Sequence, residues 1–184
     1  MGPKLFAVYL GGRAPKCNTE LHDVVFVVGD SVEATYHALM DKWFGNPLLL
    51  HLDSWVELRI VDHFQITLRK DPPAQAKTLF FINMGAYVPG QFTELHANAF
   101  VIAESEAEVK RRAKKELLPG TDSLHTDDLY DIDDCLEIGE VDGWQIELTE
   151  TTQTQAFEPH NGYHVIPSAV VAAYARLRGL PMPT

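Results

Sequence analysis

The sequence predicts an α+β fold built from two copies of one β-β-α-β-β unit, with mostly antiparallel sheets, a pseudo-two-fold relation between the copies and a C-terminal helix. Three observations lead to this prediction. The chain resembles itself at a fixed shift, short β-rich apolar runs recur in both halves, and each half carries one helix with an apolar stripe. An internal duplication is therefore the basis of the predicted architecture.

The self-similarity is strong enough to indicate the duplication from the sequence alone. Residues 5–31 and 79–105 carry eleven identities at a shift of 74 positions, without a gap. Farther along, residues 61–66 resemble residues 141–146 at a shift of 80. The second copy therefore contains about six extra residues between the two matches.

Four strands are expected in each copy, two before the helix and two after it. The first two are short runs rich in apolar, β-branched and aromatic residues, at 5–10 and 24–28 in one copy and at 79–84 and 99–103 in the other. The last two form a hairpin with a tight turn, at 55–61 and 64–69 in one copy and at 136–141 and 144–149 in the other.

One helix is predicted between the second and third strands of each copy. Ser31 and Ser105 are the predicted N-caps, and Glu108 follows Ser105 at the spacing of a capping box. A further helix is expected over 167–178, because it begins with proline, is rich in alanine and is followed by Gly179.

The repeat sets the expected domain organisation. Repeat 1 is predicted over 1–70, a linker over 71–76, repeat 2 over 77–150, and a loop and helix over 151–184, with 150–162 interpreted as the loop. The four strands of a copy are expected to form one sheet covered on one face by its helix. Because unpaired edge strands favour pairing between chains, a homodimer is predicted.

The composition is that of a folded, acidic, soluble protein. Hydrophobic residues make up 46% of the 184 residues, and 26 Asp and Glu against 15 Lys and Arg give a formal net charge of −11. A surface of this sign repels phosphate groups, so no nucleic-acid or membrane partner is expected. The sequence shows neither a signal peptide nor a long apolar run, which predicts a cytoplasmic location. The two cysteines lack the spacing of a disulfide framework or a zinc knuckle.

The clearest repeated polar element is the tetrapeptide Thr-Glu-Leu-His, at residues 19–22 and again at 93–96. On an extended chain the Glu and His point to the same side, where they could bind a metal or act as an acid–base pair. The candidate residues are Glu20, His22, Glu94 and His96. The alternative is a structural role, in which these groups bond loose backbone atoms of the loop, and this interpretation is preferred.

A second recurring pattern is His-x-Asp, with His51 and Asp53 matched by His125 and Asp127 at the shift of 74. Here the carboxylate could orient the imidazole, as it does beside many metal ligands, although a structural role is again preferred. Arg13 lies in a glycine-rich loop that lacks the spacing of a nucleotide-binding motif, so a weak anion site there is the alternative to an ordinary loop.

The segments 5–15 and 20–28 resemble the domain of unknown function 1543 family, a bacterial family. The likeness extends over both repeats and nearly the whole chain. It implies a duplicated α+β fold and a bacterial cytoplasmic setting. It implies no activity, cofactor or catalytic residue.

Two functions from different classes follow as hypotheses. The preferred one is a non-enzymatic module that binds a small molecule or a protein in a groove between the repeats, and it requires no cofactor. The alternative is a small hydrolase or isomerase that uses the repeated Glu and His with or without a divalent metal. The first predicts that the two Thr-Glu-Leu-His elements lie apart, with each glutamate bonded to backbone N–H groups. The second predicts that their side chains converge in a shared pocket, with perturbed protonation.

Overall fold

Eleven strands and three α-helices are found in the residues that the computed structural model describes, which are 2–87, 90–113 and 131–181. The strands are β1 (Lys4–Gly12), β2 (Leu21–Gly29), β3 (His51–Glu57), β4 (Ile60–Val61), β5 (Phe64–Arg69), β6 (Thr78–Ala86), β7 (Leu95–Ala103), β8 (Asp131–Ile138), β9 (Glu140–Val141), β10 (Trp144–Glu150) and β11 (His160–Val165). The α-helices are α1 (Tyr36–Lys42), α2 (Glu106–Arg112) and α3 (Ser168–Arg178). Both copies thus show the order β-β-α-β-β-β, which confirms the predicted α+β class and its duplication.

The strands form three antiparallel sheets, with the orders β11-β3-β1-β2, β7-β6-β8 and β4-β5-β10-β9. The prediction that the four strands of a copy share one sheet is therefore wrong. The third predicted strand of each copy is interrupted, at Leu58 and Arg59 in one copy and at Gly139 in the other. After each break the terminal hairpin leaves its own sheet, and the two hairpins pair with each other.

The sheet formed by the two hairpins has a local two-fold relation in its register. Thr67 of β5 is the Cα partner of Glu147 of β10, and these two positions are 80 residues apart, which is the shift that relates the hairpins. Equivalent residues therefore lie opposite each other at the centre of this sheet. Arg69 forms an ion pair with Glu147 at 2.7 Å across the same two strands.

The chain divides into two compact units, Met1–Arg59 with Gln155–Thr184, and Ile60–Thr154. The first unit contains the sheet β11-β3-β1-β2 with α1 and α3, and the second contains the other two sheets with α2. The repeat boundaries drawn from the sequence remain a prediction. Strand β11 begins at His160, so the loop predicted over 150–162 is wrong in its last residues.

In the first unit, one face of the sheet packs against the helices. Alternate residues of β1 (Phe6, Val8 and Leu10) join the core with residues of α1 and with Tyr174 of α3. Because side chains alternate along a strand, Tyr9 and Gly11 belong to the opposite face. The second unit repeats this arrangement, with the core residues Phe80, Ile82, Met84, Val101, Ala103, Val109 and Ala113.

One of the two predicted N-caps is confirmed. Helix α1 begins at Tyr36 with Thr35 at its N-cap position, because a 3-10 turn separates it from Ser31, so the prediction of Ser31 as this N-cap is wrong. The hydroxyl of Ser105 accepts a hydrogen bond from the backbone N–H of Glu108 at 3.3 Å, which confirms the predicted N-cap of α2. Ser31 accepts the N–H of Ala34 at 3.4 Å, ahead of the 3-10 turn that leads into α1. Among the residues described, no helix is long and apolar enough to cross a membrane.

A polar contact joins α1 to α3, and its removal has a predictable cost. The Tyr174 hydroxyl donates to Asp41 Oδ1 at 2.8 Å, and Arg178 bonds Asp41 Oδ2. Burial acts to raise the pKa of Asp41, but the hydrogen bonds from Tyr174 and Arg178 outweigh it and hold this pKa below its usual value. The contact therefore stabilises the fold above the unfolded pKa and loses strength as the pH falls through the folded pKa.

We expect Tyr174→Phe to lower the free energy of unfolding by about 1 kcal/mol at pH 7, which is the usual net value of such a bond. The difference from wild type should shrink in acid, and urea unfolding at several pH values measures it. Tyr36→Phe is the matched control, because no hydrogen bond of its hydroxyl is found in the described structure. Equal effects of the two substitutions would contradict the prediction.

Candidate metal centre

The register of three adjacent strands brings two histidines to one place. Gly11 of β1 is the Cα partner of His22 on β2 and of His51 on β3. Directly opposed residues of an antiparallel pair project from the same face, and Gly11 belongs to the face opposite the helices. Both imidazoles therefore stand over a glycine on that face.

The glycine is required for steric reasons. A Cβ atom at Gly11 would lie 2.5 Å from His51 Nε2 and 2.5 Å from Asp53 Oδ2, which is closer than such atoms can approach. The side chains of His51 and Asp53 thus occupy the space directly above the backbone of β1. This accounts for Gly11 being one of the residues shared by the two copies.

Asp53 reaches the site because it lies in a β-bulge. Tyr9 pairs with Ser54 and Leu10 with Leu52, which leaves Asp53 without a partner on β1. Extra residues of this kind bend a strand and redirect side chains, and bulges are common beside functional sites. Strand β11 is also irregular opposite Asp53, because its own register shifts between Asn161 and His164.

Four side chains form a closed ring in which each histidine contacts both carboxylates, with the two histidines on different oxygens of Asp53. His22 Nε2 lies 3.2 Å from Asp53 Oδ2 and 3.5 Å from Glu20 Oε1. His51 Nε2 lies 3.2 Å from Asp53 Oδ1 and 3.4 Å from the same Glu20 oxygen. Glu20, His51 and Asp53 could together hold a metal ion, since one donor atom from each lies within 4.8 Å of the others, and His22 adjoins this group.

The most informative atom of the ring is His51 Nε2. The His51 side chain is only 3% exposed, and its Nε2 has no hydrogen-bond partner although two carboxylate oxygens lie within 3.4 Å. Asp53 Oδ2 is likewise buried without a hydrogen bond. The distances are within hydrogen-bond range, but neither contact has the geometry of a hydrogen bond. Unpaired buried polar atoms are costly and rare, and they call for an explanation.

Aromatic rings hold the two imidazoles in place. Tyr9 stacks on His22, with ring centroids 5.4 Å apart and an interplanar angle of 7°. Tyr163 of β11 packs on His51 at 4.1 Å. Burial, with the negative charges of Asp53 and Asp23, raises the pKa of Tyr9, so its phenol is neutral at pH 7. Sequence reasoning missed both tyrosines, because Tyr9 belongs to an apolar run and Tyr163 follows a segment interpreted as a loop.

The second copy builds a related cluster on equivalent strands. Gly85 of β6 is the partner of His96 on β7 and of Asp131 on β8, and a bulge on β8 leaves Asp133 outside the ladder. His96 Nε2 lies 3.7 Å from Glu94 Oε2, and His96 Nδ1 lies 3.6 Å from Asp133 Oδ2. Glu94, His96 and Asp133 each offer a donor atom within 4.8 Å of the others.

The structure thus joins the two predicted motifs of the first copy, since Glu20 and His22 meet His51 and Asp53. His125 and Asp127 lie outside the described residues, and the structural counterpart of Asp53 is Asp133. Asp133 was missed because the comparison of the two copies kept the shift of 74 for His51 and Asp53. The shift of 80 already applies here and aligns Asp131-Ile132-Asp133 with His51-Leu52-Asp53.

Two further predictions concern Arg13 and the glutamates. Arg13 is exposed, and its backbone carbonyl accepts the Asn46 N–H at 2.8 Å. No hydrogen bond or ion pair of its guanidinium is found within the ranges that the structure describes. In the described part of the chain, Glu20 and Glu94 face histidine nitrogens and not backbone N–H groups. Side chains therefore converge within each copy, whereas the shared pocket of the alternative hypothesis is not seen among the described residues, because β2 and β7 belong to different sheets.

Comparison with known proteins gives a family and a fold but no activity. A family model described as Domain of Unknown Function (DUF1543) matches residues 17–68 and 91–148, one segment in each copy and together more than half of the chain. The crystal structure of a protein Il1583 from Idiomarina loihiensis is 36% identical, with a TM-score of 0.72 over 90% of this chain and 99% of that chain. No curated protein matches.

Proposed function

The chain belongs to the DUF1543 family, and we propose that it is a divalent-metal-binding protein with a zinc-type centre at Glu20, His22, His51 and Asp53. The single observation that carries this proposal is the buried His51 Nε2, which lies among carboxylate oxygens without bonding any of them. A cation between these donors would bond the nitrogen and the buried Asp53 oxygen together.

The spacing of the donors fits a metal ion. Bonds from zinc to imidazole nitrogen and carboxylate oxygen are about 2.0–2.2 Å long, so neighbouring donors around one zinc ion lie roughly 3.0–3.5 Å apart. The four nitrogen–oxygen distances of the ring, 3.2, 3.2, 3.4 and 3.5 Å, fall in this range. Imidazole and carboxylate together suit zinc and neighbouring transition metals better than calcium or magnesium.

Charge also favours a cation here. Glu20 and Asp53 bring two negative charges, and within the described structure their ion-pair contacts are to His22 and His51 alone. Two protonated imidazoles would neutralise the carboxylates in a purely structural cluster. A protonated His51 would then direct its Nε2–H at an oxygen to satisfy it, which the observed geometry does not do. A divalent cation between the donors would balance the two carboxylates and bond the otherwise unpaired nitrogen.

The side chains of the ring would have different tasks. His51 is buried and packed under Tyr163, so it would fix the position of the ion. Glu20 is 40% exposed and precedes β2 in a loop, so it would be the donor that moves when the ion enters or leaves. Tyr9, stacked on His22, would hold the second imidazole edge-on to the site. Such supporting contacts commonly set the affinity of a metal centre.

Calorimetric titration of the metal-free protein with zinc tests the proposal. We expect Asp53→Asn and Glu20→Gln to weaken binding at this centre by more than about 100-fold, beyond the 10–100-fold that loss of a mere supporting contact costs. Asp30→Asn is the control, because Asp30 is an exposed carboxylate of the same compact unit outside the ring. Zinc binding that is equally tight in Asp53→Asn and Asp30→Asn would refute the proposal.

A further inference from the structure

We infer that Glu94, His96 and Asp133 form a second metal site, which takes a hard divalent cation such as Mn²⁺ more readily than the first centre does. The inference rests on the proposed function in one respect only, because the repeat transfers the idea of a metal centre from the first copy. The preference for a harder cation comes from the second copy's own residues. The chain would then carry two centres of different selectivity on one duplicated scaffold.

The backbone around the second cluster has the same two features as the backbone around the first, a glycine beneath the side chains and a β-bulge at the aspartate. A Cβ atom at Gly85 would collide with Asp133 Oδ2 and Glu94 Oε1, so carboxylate oxygens lie directly over this glycine. The bulge on β8 leaves Asp133 unpaired, just as the bulge on β3 leaves Asp53 unpaired. A glycine under carboxylates and a bulge at the acidic residue are separate features, and both copies have both of them.

The orientation of His96 suits a metal ligand. Its Nδ1 lies 3.2 Å from Asn83 Oδ1, and the Asn83 amide is itself anchored by donating to Asn98 Oδ1 at 2.7 Å. With Nδ1–H donated to Asn83, the lone pair is on Nε2, the nitrogen that faces Glu94. Metal-binding histidines are commonly oriented by a hydrogen bond of this kind from the other ring nitrogen. The Tyr87 hydroxyl bonds Glu94 and supports that carboxylate as well.

The donor set is harder than that of the first centre. The register position of His51 is occupied by Asp131 in the second copy, so the second site has one histidine where the first has two. Oxygen-rich sites favour manganese, magnesium and calcium, whereas imidazole favours zinc, copper and nickel. The second copy therefore differs in the direction that favours a hard cation.

The greater solvent exposure of the second cluster also favours a hard cation. The side chains of Glu94, His96 and Asp133 are 28%, 47% and 37% exposed, whereas His51 of the first centre is 3% exposed. Hard cations hold several of their water molecules and are bound through few carboxylates, so an open site suits them. A buried site with two imidazoles instead favours an ion that releases its water readily.

The test uses the full chain with one equivalent of zinc added, except for Asp53→Asn, which is kept metal-free because its added zinc would be free to enter the second site. Each sample is then titrated with Mn²⁺, and free Mn²⁺ is detected by electron paramagnetic resonance. We expect one bound Mn²⁺ per chain in wild type and in Asp53→Asn. Glu94→Gln and Asp133→Asn should weaken this binding at least about tenfold. Glu150→Gln should bind as wild type, because Glu150 is an exposed carboxylate of the same unit outside the cluster.

The outcomes separate this inference from the proposed function, because zinc is counted by elemental analysis in the same samples. Mn²⁺ binding that survives both Glu94→Gln and Asp133→Asn overturns the second site, as does Mn²⁺ binding that is lost in Asp53→Asn alone. Tighter Mn²⁺ binding by metal-free Glu94→Gln, which keeps only the first centre, than by metal-free Asp53→Asn, which keeps only the second, overturns the preference for a hard cation. Absence of zinc from every variant, with Mn²⁺ binding lost only in the second-copy variants, overturns the first centre and retains the second.

Discussion

Removal of the bound metal from the native protein is expected to lower its melting temperature by about 8–15 °C. A ligand present at 1,000 times its Kd stabilises the folded state by about 4 kcal/mol. For a chain of this size, each kcal/mol corresponds to about 2–4 °C in melting temperature. The effect is large because the proposed ion joins β3 to β2 and the loop before it, above β1, through side chains that otherwise leave a buried nitrogen unpaired.

The measurement is a pair of melting curves, with zinc and with EDTA, for wild type and for His51→Gln. We expect the zinc-dependent difference to vanish in His51→Gln, since an amide cannot replace the imidazole as a zinc ligand. The comparison uses the difference between the two curves, so a lower absolute melting temperature of the variant does not affect it. Asp30→Asn should keep the full wild-type difference. A wild-type melt that EDTA leaves unchanged would show that His51 and its neighbours only hold the fold.

The local parts of the fold were predictable because nearby residues determine them. Strand β5 was predicted over 64–69 and is found at Phe64–Arg69, where apolar and polar residues alternate. The N-cap of α2 follows from Ser105 and Glu108 alone. The partition into sheets was not predictable, because the choice of a partner for the hairpin β4-β5 is a long-range one. Strand β11 was missed because it is exposed along its whole length and shows no apolar alternation.

Most residues of the first site could be predicted from the sequence, but their coming together in one place could not. The repeat singled out Glu20 and His22, and the His-x-Asp pattern singled out His51 and Asp53. Their meeting depends on the register that sets Gly11 opposite both histidines, and no local pattern encodes register across three strands. The site of the second copy was harder to predict, because the insertion before β8 changes the shift from 74 to 80. An alignment at the shift of 74 does not match Asp133 with Asp53.

The substitution Gly11→Ala is expected to abolish metal binding at the first centre. The new Cβ atom would lie 2.5 Å from His51 Nε2 and from Asp53 Oδ2, so both donors must move away from their present positions. A metal centre tolerates displacements of only a few tenths of an ångström in its bond lengths. We expect zinc affinity to fall by more than about 100-fold, with a further loss of about 1–3 kcal/mol in the stability of the metal-free protein from overpacking.

Gly139→Ala is the matched control for Gly11→Ala, since an added Cβ there meets nothing within 4 Å and the backbone is not left-handed. At such a position alanine leaves stability unchanged or raises it by about 0.4–1 kcal/mol. Zinc calorimetry and urea unfolding of the two variants separate loss of the site from a general effect of removing a glycine. Gly85→Ala extends the comparison, because it should spare zinc at the first centre and remove Mn²⁺ from the second. If Gly11→Ala binds zinc as Gly139→Ala does, the donors above β1 do not hold the ion, and Gly11 is retained only for the close packing of His51 against the strand.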